Sequence, residues 1–317
     1  MFLNLPIYDR LERCEKVLLA GMGGGFDLFC GLPIYFELKR KGVEVELANF
    51  SFSDIESWDG GVKLSPTLAG VTGEQERTVV YFPEYHLAKW FKSHLNKNIT
   101  VWCFHKTGAA SLLDNYHILQ KHLNFDGIVL IDGGFDALIR GDEAETGSLI
   151  EDALSLCVVN EMDSMKERLI CCTGFGIELG LSFDQILENI SGLIREDGFY
   201  GSCSLLKNLN AYEYYESAVL YVQSQLYQDP SVINSSIISA TRGDFGDVHL
   251  TPKTRGSHLN INPLMSQYWF FDLKKVAMRN LYISQLLQTR TFMEALEIFL
   301  GLRPLIPRRK SNHFKLI

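Results

Sequence analysis

The sequence predicts an α/β protein, with a three-layer α/β/α core and a mostly parallel sheet over residues 1–181 and a helix-rich continuation over 182–317. Three observations predict it. Apolar segments stop in glycine turns and give way to helical spacing, as in "VLLAGMGGGFD", "IVLIDGGFDAL" and "LICCTGFG". These segments are continuous β-branched and aromatic runs, the mark of strands covered on both faces. The first of them, the helix after it and "VEVELANFSF" make a βαβ opening, the unit that builds parallel sheets.

In chain order, residues 17–21 are the first strand and "LFCGLPIYFELKRKG" is its helix, with Pro33 blurring the start. Residues 43–52 are the second strand. Residues 53–78 are polar and glycine-containing and read as a long excursion, with "RTVVYFPEY" as a short strand of its own. "HLAKWFKSHLN" is helical, "ITVWCFHKTGA" is a strand running into a loop, and "LLDNYHILQKHLN" returns the chain as a helix. "FDGIVLID" is a buried strand, "LIEDALSLCVVNEM" a helix and "RLICCTGFG" a further strand, on which Cys171 and Cys172 should face opposite sides, both buried. Past residue 182, "SFDQILENISGLIREDG" and "AYEYYESAVLYVQSQLYQ" are helical, and "SVINSSIISATRGDFGDVH" holds one more strand. "PLMSQYWFFDLKKVAMRNLYISQLLQTRTFMEALEIFLGL" supplies two or three helical segments before the basic "RPLIPRRK". This continuation is either a second subdomain or an elaboration packed on the same sheet.

Composition narrows the partners. A formal net charge of −8 argues against nucleic acid, whose binding needs an electropositive surface. The seven cysteines show no CxxC spacing, so neither zinc nor a redox pair is indicated, and their odd number fits a reducing, cytoplasmic setting. No apolar run reaches the length of a membrane span, and residues 1–16 hold no secretory apolar block. The aromatic stripes of the late helices would suit a seam between copies of the chain, hence a homo-oligomer.

The loop after the first strand carries Gly21, Gly23, Gly24 and Gly25, then Asp27. It is not the dinucleotide fingerprint, because position 26 is phenylalanine and the second strand ends in Ala48-Asn49-Phe50 without an acid. NAD is therefore not expected. Bare amides at a strand exit suit a phosphate or other anion. Asp27 would repel that anion unless it faces a metal or a substrate hydroxyl. "GGFD" recurs at 133–136, also after an apolar strand, so the two turns should form facing walls of one cleft.

The second turn holds Asp132, Asp136, Asp142, Glu143 and Glu145 around Arg140. Paired carboxylates need a counter-ion, which could be Mg²⁺ or Mn²⁺, Arg140, or a positively charged ligand. Asp27, Asp132 and Asp136 are thus the candidate catalytic and metal residues, although each could equally cap a turn. Candidate ligand contacts are Gly23, Gly24, Gly25, Gly133, Gly134, Arg140 and Glu143. Other strand exits add His105, Lys106, Thr107 and Gly108, then Thr173 and Gly174 with Glu178 nearby. Arg242 comes from the densest polar stretch of the second half. His249 and His258 lack a third ligand at metal-binding spacing, and no serine stands in G-x-S-x-G.

The pairing of "GMGGGFD" with "LIDGGFDALIRGDEAETG" and "EDALSL" resembles an uncharacterised family of archaeal and bacterial proteins, a domain of unknown function. The matching positions are Gly23, Gly24, Gly25 and Asp27, then Gly133, Gly134, Asp136, Arg140, Gly141, Asp142 and Glu143. The resemblance implies a Rossmann-like α/β architecture and no particular reaction. The function expected is that of an enzyme or binder of a phosphate-bearing or hydroxyl-rich small metabolite, with Mg²⁺-assisted transfer or hydrolysis as its chemistry. The alternative is a non-catalytic metabolite sensor or an oligomeric structural protein.

Overall fold

A computed structural model describes residues 6–76, 80–143, 149–177 and 182–310. The chain runs through helix α1 (Pro6–Leu11), strand β1 (Lys16–Gly21), helices α2 (Asp27–Cys30) and α3 (Leu32–Arg40), and strand β2 (Glu44–Ser51). The single helix expected after β1 is two. Pro33 lies in the first turn of α3, where its missing N–H costs nothing, so a new helix begins there. Strands β1 and β2 pair in parallel, as the βαβ reading requires.

The excursion at 53–78 is not structureless: β3 (Val62–Ser65) and β4 (Leu68–Thr72) form an antiparallel hairpin. Its strands are short and β3 is largely exposed, so no apolar run announces them. Residues 77–79 of the expected short strand lie outside the described residues, and Pro83 already opens helix α4 (Pro83–Leu95). Strand β5 (Thr100–His105), helix α5 (Ala109–Leu123), strand β6 (Gly127–Asp132), helix α6 (Leu149–Asn160) and strand β7 (Glu167–Thr173) follow as the sequence predicts.

The second half brings helix α7 (Phe183–Arg195), strand β8 (Phe199–Ser204), and helices α8 (Asn210–Gln223) and α9 (Val232–Arg242). Strand β9 (Gln267–Asp272) and helices α10 (Leu273–Arg279), α11 (Ile283–Leu286) and α12 (Phe292–Leu302) complete it. Two expectations are corrected here. "SVINSSIISATR" is a helix: the Ser231 hydroxyl caps the Asn234 N–H, and tertiary burial of Ile237 and Ile238 overrides their strand preference. "QYWFFD" is a strand, not the start of a helical segment. Of the tyrosines of α8, Tyr212 and Tyr215 are buried in the core, while Tyr214 is exposed.

The strands form one nine-stranded sheet in the order β3-β4-β5-β2-β1-β6-β7-β9-β8. Its five central strands are parallel, and β3-β4 and β9-β8 flank them antiparallel. The protein is therefore α/β with a mixed sheet, and the continuation past residue 182 adds strands to that same sheet. Each face is covered. Val17 and Leu19 enter one apolar cluster with side chains of α3, α4, α8 and α9; Leu18 and Ala20 enter another with those of α5, α6, α7 and α10. Cys171 and Cys172 divide between these clusters, both fully buried. From β1 the chain builds outward through β2 to β5, then restarts with β6 on the other side of β1. Strand order reverses there, so the loops after β1 and β6 diverge and leave a crevice.

Candidate metal centre

Three carboxylates meet in that crevice. Asp27 opens α2 just past β1, Asp132 ends β6, and Asp152 lies in the first turn of α6. One oxygen from each lies within 4.8 Å of the others. Backbone and neighbouring groups set their directions. The Gly23 N–H donates to Asp27 Oδ2 at 2.7 Å, and the Gly133 N–H also donates to that carboxylate. Asp132 Oδ2 accepts the Ala137 N–H at 3.1 Å and the Cys172 thiol at 3.7 Å. Ser155 ties α6 to the first loop by donating to the Met22 carbonyl at 2.7 Å. Asp152 is 2 % exposed, and its Oδ1 has no hydrogen-bond partner.

The glycines explain how like charges come so close. A Cβ on Gly23 would stand 2.7 Å from Asp27 Oδ2 and 2.8 Å from Asp152 Oδ1. One on Gly133 would stand 2.8 Å from Asp27 Oδ1. The φ angles of Gly24 and Gly25, 95° and 58°, turn the loop between strand and helix. The loop therefore makes room for carboxylates, and the Gly23 amide serves Asp27. Gly23→Ala should fold, because no positive φ is needed at this position. It should weaken Mn²⁺ binding at least about tenfold through displaced ligands; a titration alongside circular dichroism checks both.

The electrostatics are those of crowded carboxylates. Burial, reinforced by Asp136, pushes the Asp27 carboxyl up to about 8. Burial, then the charge of Asp136, holds Asp132 and Asp152 well above the ordinary carboxylate range. Among the described residues, no lysine or arginine forms an ion pair with any of the three. Lys106 pairs with Glu151 at 2.7 Å, its ammonium lying over the rings of Phe52 and Phe292. Two buried carboxylates and a half-buried third in one cluster must hold protons or a cation. An all-oxygen, all-carboxylate set suits a hard divalent ion such as Mg²⁺ or Mn²⁺. Beside it opens a cavity of about 480 Å³. Asp27 belongs to both, and Gly24, Phe26, Phe52, Tyr81 and Lys253 line more of the wall.

Asp136 is buried and loads all three carboxylates, but the third convergent group is Asp152. Sequence reasoning missed it because an acid in the first turn of a helix reads as a dipole partner. The available signal was the acid pair Glu151-Asp152 leading straight into the largely apolar "ALSLCVV". The other expected contacts are dispersed. His105 ends β5, with Nδ1 buried and unpartnered. Thr107 is buried, and the Gly108 N–H donates to the Arg290 carbonyl, docking the segment before α12. Gly134 is buried in the second turn. Thr173 is fully buried at the end of β7, and Gly174 packs under Ile177 and Ile233. Arg242 pairs with Glu216 at 2.7 Å at the far end of α9, about 15 Å along the axis from the end that borders the cavity. Glu145 and Glu178 lie outside the described residues.

Arg140 and Glu143 belong to a different construction. Arg140 pairs with Asp142 at 3.6 Å. Glu143 accepts the Arg140 and Gly141 N–H groups, the Asn189 amide at 2.7 Å and the Arg309 guanidinium at 3.0 Å. Arg303 and Arg308 donate to the Glu143 carbonyl, so the basic "RPLIPRRK" clasps the "RGDE" turn. Glu143→Ala would leave Arg309 and Asn189 without this acceptor. It should cost about 3 kcal/mol in urea denaturation while leaving Mn²⁺ affinity unchanged in the folded protein.

Fold and site together define an α/β protein with a carboxylate-lined centre at the switch point of a mixed sheet. Residues 63–302 match the model of the family described as protein of unknown function (DUF1152), and the chain belongs to that family. The match takes in Asp132, Asp136 and Asp152 and begins after the first glycine loop, so Asp27 joins them by geometry alone. No curated protein and no solved structure matches the chain. Among the described residues, no helix is long and apolar enough to cross a membrane.

Proposed function

We propose that this protein is a divalent-cation-dependent enzyme acting on a phosphate-bearing or hydroxyl-rich small metabolite, built on a Rossmann-like three-layer frame. Asp27, Asp132 and Asp152 hold Mg²⁺ or Mn²⁺, and the cavity bordering Asp27 receives the substrate. The observation that carries this reading is the buried, unpartnered Asp152 Oδ1 facing the same space as two other carboxylates. Such an ion polarises a substrate oxygen or lowers the pKa of bound water, chemistry that serves transfer and hydrolysis alike. Asp136 raises the negative potential that attracts the ion, and Lys253 on the cavity wall offsets part of the substrate's charge.

A thermal-shift panel tests it: sugar phosphates, nucleotides and polyols, each with and without Mn²⁺. The expected result is a rise in Tm that needs both metal and a phosphate-bearing ligand and is lost in Asp152→Asn. Absence of any shift with Mg²⁺ or Mn²⁺ overturns the reading. One feature favours a second occupant: Phe26, Phe52 and Tyr81 on the cavity wall could receive an organic ammonium group beside the carboxylates. A metal-independent rise with polyamines in the same panel would select it.

A further inference from the structure

We infer that Asn49 and Asn234 are positioning residues that aim Asp27 at the metal, an inference that rests on the cation site proposed above. The first loop has few backbone bonds: Met22 N–H donates to the Ile131 carbonyl, Asp27 N–H to the Gly24 carbonyl and Phe29 N–H to the Phe26 carbonyl. Its turn is made by two glycines at positive φ, residues that by themselves hold a chain loosely.

Besides the Gly23 and Gly133 amides that hold its carboxylate, the backbone leading into Asp27 is held by side chains reaching in from two sides. Asn49, on β2, donates its carboxamide N–H to the Gly25 carbonyl at 3.0 Å. Asn234, on α9, donates to the next carbonyl, that of Phe26, at 3.2 Å. These are the last two carbonyls before Asp27. Both carboxamides are buried, at 0 % and 1 % exposed, and each is itself held. Asn49 also donates to Glu84 Oε1 at 2.8 Å, and the oxygen of Asn234 accepts the Tyr215 hydroxyl at 2.9 Å and the Cys30 thiol at 3.5 Å.

The helix carrying Asn234 touches the other walls as well. Ile233 lies 3.4 Å from where a Cβ on Gly133 would stand and 3.3 Å from one on Gly174. Helix α9 therefore braces the exits of β1, β6 and β7 together, which explains a contribution of the second half of the chain to a site built by the first. Groups that orient a metal ligand govern affinity without touching the ion.

The test is Mn²⁺ binding to the full chain, followed by the paramagnetic signals of free and bound Mn²⁺, for wild type, Asn234→Ala and Tyr215→Phe. Asn234→Ala should bind about tenfold more weakly. The line shape of bound Mn²⁺ should also change, because a displaced Asp27 alters the ligand geometry around the ion. Tyr215→Phe removes only the hydroxyl that holds Asn234; it should fold and lose about threefold, at the low end of such effects. It decides the matter if Asn234→Ala does not fold. Wild-type affinity and an unchanged bound-ion line shape in the folded variants would overturn the inference and leave the cation site standing. No Mn²⁺ binding by wild type would remove the cation site and the inference with it.

Discussion

Asp152→Asn is expected to weaken Mn²⁺ binding by at least about 100-fold while raising the Tm of the metal-free protein. The two effects have one cause. Asp152 lies 2 % exposed against Asp27 and Asp132, with Asp136 adding to the field, and its Oδ1 has no partner. As an ion ligand it supplies a full negative charge, and a carboxamide does not. Without the ion the same charge is an uncompensated burial cost. The asparagine N–H could donate to a neighbouring carboxylate and relieve it. Titration with Mn²⁺ and a melt in EDTA check both halves. A variant less stable than wild type in EDTA would show Asp152 to be a structural acid.

The second large effect is on pH. Asp27 is pushed up to about 8, and Asp132 and Asp152 rise in the same direction. In the unfolded chain these groups release their protons near 4, so between about pH 4 and 8 the folded state holds more protons. Metal-free stability should therefore be greatest at the acid end of this window and fall as pH rises through it. The slope is up to about 1.4 kcal/mol per pH unit for each proton retained. Saturating Mn²⁺ should flatten the trend, because the ion displaces those protons from the folded state. Urea denaturation from pH 4 to 8, with EDTA or Mn²⁺, reads both slopes. A metal-free curve that rises toward pH 8 would contradict the raised carboxyls.

The parallel centre of the sheet was legible because strands buried on both faces leave continuous apolar runs in the sequence. The flanking antiparallel strands were not. Residues 62–65 and 199–204 are half-exposed edge strands with mixed polarity, and "QYWFFD" leads straight into a helix that masked it. Asp27 and Asp132 stood out because glycine turns at strand exits advertise a crevice. Asp152 is helical, and its place depends on how α6 packs against the Met22 carbonyl through Ser155, a contact separated by 133 positions. Arg140 and Glu143 looked like ligand contacts because charge clustered in one turn. What the turn lacked in the sequence was its partner, the arginines at 303–309, which reach back to it.

The most direct test of the central claim is calorimetric titration of Mn²⁺ into EDTA-treated, dialysed protein at pH 7.5 in two buffers of different ionisation enthalpy. Carboxyls that retain protons at that pH must release them when the ion enters. The account predicts saturable binding of one ion per chain, with an apparent enthalpy that changes with the buffer and a signal lost in Asp152→Asn. Heats without saturation at millimolar Mn²⁺, or binding unaltered in that variant, would contradict it.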